Sequence, residues 1–368
     1  MESSAPFQSW DQALNPLLKF AYQAFQQSKA AFALSHKTMS SRLTNLIVSE
    51  REKNLQSLPP EVINQMRSRL DQLLETDWQD AEQGIYPKSV LFDNAWDDFI
   101  QYYPAVWADL IPTWERLQNK RYQEFSPDID TEGYPNYYLQ NFHHQTDGYL
   151  SDWSANLYDL QVELLFNGAA DAMRRRILAP LKAGLSNITS LQSRNTKILD
   201  VACGTGRTLR LQRGMLPKVS LYGVDLSPAY LRKANQLLSE IPGELPQLIQ
   251  GNAEYLPFAE EYFHGLSCVF TFHELPAAAR QNVINEMFRV LKSGGVLVIC
   301  DSIQAVDSPE LTPMMENFPA MFHEPYYKHY IYDDFEQRLT DAGFNITSVN
   351  NHFASKYWVA EKPKPSLG

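Results

Sequence analysis

Eight consecutive residues, Asp200-Val201-Ala202-Cys203-Gly204-Thr205-Gly206-Arg207, carry the strongest chemical signal in the chain. They follow a short apolar run, Lys197 to Val201, and open a segment with helical character. That is the setting in which a glycine turn cradles a nucleotide. Gly204 and Gly206 let the backbone turn tightly and let a ligand come where any Cβ would clash. The third glycine of the dinucleotide fingerprint is missing, since Leu209 stands there. Asp225 ends the next apolar run, where a carboxylate can accept both hydroxyls of a ribose. Asn252 follows a third run, within reach of an adenine edge, and Phe270 and Thr271 close a fourth. Ligands of parallel α/β sheets sit beyond the carboxyl ends of the strands, and all these residues fall at such ends.

The elements that must position them alternate. KILDVAC, VSLYGVDLS, PQLIQGNAE, HGLSCVFTF and GVLVICDSI read as strands. Between them lie helical segments, one opened by Ser227 as N-cap with Pro228 behind it, another ended by Gly294. Strands alternating with helices predict a parallel, doubly wound α/β sheet. After the helix YDDFEQRLTDAGF come two strands, NITSVNNH and ASKYWVAEK, too close together for a parallel crossover, so they pair antiparallel.

The first half is different. Asn15 and Pro16 read as the cap and first residue of a helix over 15–36, with Leu17, Leu18, Ala21, Phe25 and Phe32 at helical spacing. Further helical patterns cover 60–75, 91–102 and 105–118, so residues 1–120 read as an N-terminal mainly α-helical domain. Residues 121–189 form a Tyr- and Trp-rich connection followed by helix, and 362–368 a tail. A membrane-lying role for the helix bearing Phe25 and Phe32 is outweighed by packing on its neighbours, because its polar face is not rich in Lys or Arg.

The chain has 368 residues and a net charge of -11, which argues against a nucleic-acid binder. The 24 acidic and 16 basic residues before position 190 account for most of it. Three cysteines, Cys203, Cys268 and Cys300, fall in no close pair, which fits a reducing compartment such as the cytoplasm. The N-terminus shows neither a signal peptide nor a transit peptide, and no apolar run is long enough to span a membrane.

ILDVACGTG, YGVDLS, GNAEYLPF and EMFRVLKSGGVLVICD resemble the successive motifs of class I S-adenosylmethionine-dependent methyltransferases. Ala202 and the Asn-Ala-Glu-x-Leu-Pro-Phe string resemble the ubiquinone/menaquinone-biosynthesis C-methyltransferase group within them. The resemblance covers roughly residues 160 to 361 and implies a Rossmann-like seven-stranded sheet with S-adenosylmethionine as cofactor. It implies that Asp200 and the turn Ala202, Cys203, Gly204, Thr205 and Gly206 hold the methionine part. Asp225 would hold the ribose, Leu226 the adenine face, and Asn252 with Ala253 the adenine edge. His264 departs from the Asp usual in the group, and a strand-capping role is expected for it. The segment Phe272-His273-Glu274-Leu275-Pro276 also departs from the group's pattern, and the N-terminal 150 residues have no counterpart there.

Methyl transfer to carbon, phenol or amine needs a base. The candidates are His273 and Glu274, after the fourth strand, and His143 and His144. Tyr138, Asp147 and Tyr149 share the loop of the last two. Residues 305–332 make a long connection carrying Met314, Met315, Phe318, Met321, Phe322, Tyr326, Tyr327 and Tyr330. They are expected to line a lid over a planar or greasy acceptor, the alternative being a short helix packed on the N-terminal domain. No metal site is expected, because His143 and His144 are adjacent and no spaced third ligand follows. Three functions remain open: methylation of a small apolar or aromatic acceptor, methylation of a protein docked on the acidic helices, and a cofactor-binding assembly factor without turnover. The sequence leaves the oligomeric state open.

Overall fold

A computed structural model of the chain describes residues 5–47, 59–188 and 190–365. Before the first strand it is helical: α1 (Ala5–Ile47), α2 (Pro60–Glu82), α3 (Phe99–Asn119), α4 (Asp152–Leu165), α5 (Ala170–Arg175) and α6 (Leu178–Ser186). The expected cap at Asn15 is not one, because α1 runs on through Pro16. Nor do Leu17 and Leu18 face inward: they are 65% and 38% exposed, while Tyr22, Lys29, Ala33 and His36 form the buried stripe. The stripe is set by polar partners, with the Tyr22 hydroxyl donating to Asp77 and Lys29 pairing with Glu163. The two helical patterns at 91–102 and 105–118 resolve into two 3-10 turns and one helix, α3, with Pro104 and Pro112 inside it. Asn94 caps the second turn by accepting from the Trp96 amide.

The second half alternates as expected: β1 (Lys197–Val201), α7 (Arg207–Met215), β2 (Ser220–Asp225), α8 (Pro228–Ser239), β3 (Gln247–Gln250), β4 (Phe263–Val269), α9 (Ala277–Val290) and β5 (Leu291–Ser302). Ser227 caps α8, its hydroxyl accepting from the Tyr230 amide. The ninth helix ends at Val290 rather than Gly294, because β5 begins at once and pairs Leu291 with Phe263. His264 takes the strand-end role expected of it: its Nδ1 accepts from the Lys197 amide at 3.1 Å. The connection after β5 contains α10 (Thr312–Phe322) and α11 (Tyr327–Tyr330), and α12 (Phe335–Asp341), β6 (Asn345–His352) and β7 (Ser355–Glu361) follow.

All seven strands share one sheet, in the order β3-β2-β1-β4-β5-β7-β6. The pairings among β1 to β5 are parallel, and β7 inserts antiparallel between β5 and β6. Chain order reverses between β1 and β4, the switch point where such sheets open a crevice. Val201, Leu266 and Ile299 on one face and Ile198, Val298 and Cys300 on the other feed two separate cores. No described helix is long and apolar enough to cross a membrane.

The N-terminal helices join the second core directly. Tyr22, Trp78, Tyr86 and Val90 pack with Leu181, Leu209 and Val296. Beneath them Arg175 is fully buried against Asp77, at 2.7 Å, and the Tyr86 hydroxyl also donates to Asp77. Arg207 and Arg210 of α7 reach back to Asp93 at 3.3 and 2.7 Å. The turn between α4 and α5 needs Gly168: at φ +79, a Cβ there would lie 2.5 Å from the Lys29 Cβ of α1.

Candidate active site

A cleft of about 1040 Å³, partly open to solvent, lies over the switch point. Its floor is the turn after β1. Ala202 and Gly204 take positive φ, and Gly206 (φ +82) starts α7 so close to α8 that a Cβ would meet the Ala234 Cβ at 3.0 Å. One carboxylate oxygen of Asp225 accepts from the Gly204 amide and the other from the Ser227 amide, both at 2.8 Å. Asp225 is thus clamped between the turn and α8, facing the cleft. Burial, with the Glu274 charge, lifts its pKa to about 6, against the pull of the backbone donors. Asp200, held by the Ser267 hydroxyl at 2.5 Å, is pushed up to about 7, mainly by burial. Among the described residues neither carboxylate has a Lys or Arg ion pair; Asp225 lines the cleft and Asp200 lies behind it, a setting that favours a cationic ligand.

Leu226, Asn252 and Ala253 line the far end of the cleft. Asn252 is fixed by accepting from the Glu254 amide. Arg174 and Arg207 line the near end, both buried and both paired with Asp171, at 2.9 and 2.6 Å. Residues 121–151 form the roof. The Tyr137 hydroxyl donates to Glu254 at 2.6 Å, the Tyr149 hydroxyl to Glu274 at 2.5 Å, and the Ser227 hydroxyl to the Tyr149 carbonyl. Tyr138 and Tyr230 complete the wall.

A second cleft, of about 800 Å³, adjoins the first and shares Tyr158, Phe270 and Glu274 with it. Its walls are apolar, with Met66 of α2, Phe166 of α4, Met314, Met315 and Phe318 of α10, and Tyr327 of α11. Phe270 sits at φ +58 and stacks on Phe166, which places its ring between the two spaces. At the junction the lining turns polar, with His143, His273, Glu274 and Glu324. Asp301, at the end of β5, organises this corner. It accepts from the Thr271 and Phe272 amides and from His273 Nδ1 at 2.5 Å. Burial opposes the charged form of His273, but Asp301 and Glu324 outweigh it and raise its pKa to about 10. His143 is raised too: burial opposes, and Glu324 and Glu274 prevail. Burial raises the Glu324 carboxyl, against the pull of the two histidines.

A profile described as a methyltransferase domain matches residues 198–295. The demethylmenaquinone methyltransferase of Thermotoga maritima is 30% identical over 182 residues, half of this chain and 69% of that protein. The chain belongs to the class I S-adenosylmethionine-dependent methyltransferases. The enzyme of the same name from Anoxybacillus flavithermus is 33% identical over 112 residues, 30% of this chain and 46% of that protein. The chain thus spans about half the length of that relative. Among solved structures, a putative methyltransferase from Bacillus halodurans is similar at 20% identity and a TM-score of 0.39, over 50% of this chain and 98% of that one. Geranyl diphosphate methyltransferase in complex with its methyl donor is similar at 13% identity and a TM-score of 0.44, over 56% and 90%.

S-adenosylmethionine is the cofactor of this family, and the first cleft suits it. The donor carries a sulfonium, an ammonium, a carboxylate, a ribose and an adenine. The Asp225 carboxylate suits the ribose hydroxyls, the negative charge of Asp200 behind the turn suits the cationic groups, and the guanidinium of Arg174 suits the carboxylate. The turn leaves room where side chains would intrude.

Of the cofactor residues expected from sequence, Ala202, Cys203, Gly204, Thr205, Asp225, Leu226, Asn252, Ala253, Phe270 and Thr271 all line the first cleft. Asp200 and Gly206 lie just behind it, as a hydrogen-bonding and a hinge residue. The four candidate bases divide. His143, His273 and Glu274 come together at the junction, whereas His144 does not join them. Consecutive positive φ values at His143 and His144 turn the two rings apart. His144 packs among Tyr122 and His323 instead, and burial lowers its pKa to about 4. Of the acceptor residues, Met314 and Tyr327 line the second cleft, while Tyr138 and Tyr149 line the first. Phe322 faces a third cleft, of about 1360 Å³, next to α1, α3 and α4. Tyr326 lines none of the three and packs edge-on to Tyr137. Sequence reasoning missed Arg174, Tyr158, Asp301 and Glu324. Asp301 could have been found as the acid ending the fifth strand, while Glu324 carries no local signal.

Proposed function

We propose that the enzyme methylates a small, apolar or aromatic acceptor held in the second cleft. The observation that supports this is the contact between the two spaces. A cleft walled by Met66, Met314, Met315, Phe318 and Tyr327 meets the cofactor cleft at Phe270 and Glu274. Flexible methionines and aromatic rings suit a planar or greasy molecule. That the demethylmenaquinone methyltransferases are among the relatives agrees with a quinone- or phenol-like acceptor.

The bound cofactor supplies an electrophilic methyl group. The chain supplies the rest. The turn and Asp225 fix one partner, the apolar walls fix the other, and the roof excludes water. Orientation of this kind supplies up to about 7–11 kcal/mol of the barrier. The acceptor's ionisable group faces His143, Glu274 and Glu324, so its proton leaves at that corner of the cleft, where the Tyr149 hydroxyl holds Glu274 in place.

The test is transfer of a radiolabelled methyl group from S-adenosylmethionine into fractionated lysate. Label is expected in the organic phase. Label confined to precipitated protein would overturn the small-acceptor reading. As a second check, Phe270→Ala, which removes the ring between the clefts, is expected to lower kcat and to raise the acceptor's KM more than it weakens cofactor affinity.

A further inference from the structure

The polar corner between the clefts has the makings of a metal site that spacing along the sequence does not reveal. His143 comes from the roof, His273 and Glu274 from the turn after β4, and Glu324 from the connection between α10 and α11. One nitrogen or oxygen each from His143, Glu274 and Glu324 can be chosen so that all three atoms lie within 4.8 Å of one another. His143 Nε2 is 3.3 Å from Glu274 Oε1, and His143 Nδ1 is 3.4 Å from Glu324 Oε1. His273 Nε2 lies 3.9 Å from Glu274 Oε1 and 3.6 Å from Glu324 Oε2.

These separations are longer than charge-assisted hydrogen bonds, which run at about 2.7–2.9 Å. His143 offers an ion only one of its two nitrogens; Nε2 at 3.3 Å from Glu274, with His273 Nε2 at 3.6 and 3.9 Å from the two glutamates, stands at the spacing of atoms that share one ion at bond lengths of about 2.0–2.2 Å. Glu324 adds an independent sign. It is 1% exposed, yet its Oε2 has no hydrogen-bond partner. A buried carboxylate oxygen whose ion-pair partner, His273 Nε2, stands at 3.6 Å, too far for a hydrogen bond, is costly unless something else satisfies it. The charge count agrees, because Glu274, Glu324 and Asp301 meet here and, among the described residues, only the two histidines pair with them. The last sign is orientation. Asp301 accepts from His273 Nδ1, which aims Nε2 at Glu274 and Glu324. A carboxylate behind a histidine is the arrangement that fixes metal-binding imidazoles elsewhere.

We propose that His143, Glu274 and Glu324, joined by His273, bind one divalent transition-metal ion of the zinc, iron or manganese class. A nitrogen-and-carboxylate set with a position left open suits such ions. The four residues line the second cleft, so an ion held there would hold the acceptor's oxygen as its anion. This chemical role rests on the acceptor reading above. Binding of the ion does not, and it is measured without cofactor or acceptor.

The test uses the full chain, free of any polyhistidine tag, stripped with a chelator and titrated calorimetrically with Zn²⁺, Mn²⁺ and Fe²⁺. One saturable ion per chain is expected. Co²⁺ substitution is expected to give visible absorption bands that change when Glu324→Gln is introduced. Glu324→Gln and His143→Ala are expected to weaken binding at least about 100-fold, and Asp301→Asn by about 10–100-fold. Cofactor titration and circular dichroism on each variant separate lost ligands from lost fold. Absence of saturable binding by the unmodified chain, or a folded Glu324→Gln that titrates like it, would overturn the site. Either result leaves the methyl-acceptor reading standing, and failure of methyl transfer leaves the metal titration standing.

Discussion

Asp225 joins protonation to cofactor binding. Its carboxylate lines the cofactor cleft, yet burial lifts its pKa from 3.8 to about 6. Below pH 6 it is protonated and a poorer acceptor, so cofactor affinity is expected to fall as pH drops from 7 to 5. Asp225→Asn should weaken binding by about 10–100-fold, the worth of hydrogen bonds to a charged group, and flatten the pH profile. Calorimetric titration at several pH values checks both. In the cofactor-free chain the sign reverses. A raised carboxyl pKa favours the folded state below the usual value, and that stability is lost as pH rises through about 6. Most of the cofactor cleft was legible because its residues sit on strand ends that the alternating pattern marks. Glu324 was not, because nothing near it in the chain hints that it will meet His143 and His273. His144 misled for the reverse reason: adjacency in sequence does not survive two left-handed residues in succession.

Among the elements, the one that departs furthest from its local pattern is α1. Leu17 and Leu18 suggested the inward face, but Tyr22 and Lys29 decide it, because their partners, Asp77 on α2 and Glu163 on α4, are buried. Tertiary hydrogen bonds and ion pairs of this kind leave no trace in hydrophobic periodicity. Asp77 is the node, receiving the Tyr22 and Tyr86 hydroxyls and the Arg175 guanidinium with none of its side chain exposed. Asp77→Ala would leave Arg175 buried without its counter-charge. It is expected to cost about 3–5 kcal/mol of stability, read by chemical denaturation. The strands were the more legible elements, since β1, β2, β4 and the later part of β5 are buried apolar runs.

At the scale of the whole molecule, the acidic helices read from sequence as a separate domain form part of the catalytic half's core. Asp77 and Asp93 neutralise Arg175, Arg207 and Arg210. Val90 packs over Gly214 of α7, where a Cβ would lie 2.7 Å from it. A chain starting at residue 190 is therefore expected to fail to unfold cooperatively in a thermal melt monitored by circular dichroism, although it contains the whole sheet. Four carboxylates of the first half, Asp93, Asp98, Asp152 and Asp171, thus pair with Arg207, Arg210, Arg232 and Lys233 of the second, which the net charge by itself could not indicate.

The hydroxyls of Tyr137 and Tyr149 fasten the roof to both lips of the cofactor cleft. A roof fastened on both sides narrows the opening of the cleft, so the spent donor is expected to leave faster once a fastening opens. Turnover is then expected to be paced by departure rather than by chemistry. Rapid-quench measurements with excess donor and acceptor are expected to show a burst approaching one methyl group per chain before a slower steady state. Tyr137→Phe, which removes one fastening, should speed the steady state several-fold while leaving the burst rate no faster. A linear onset without a burst would place the slow step at methyl transfer instead.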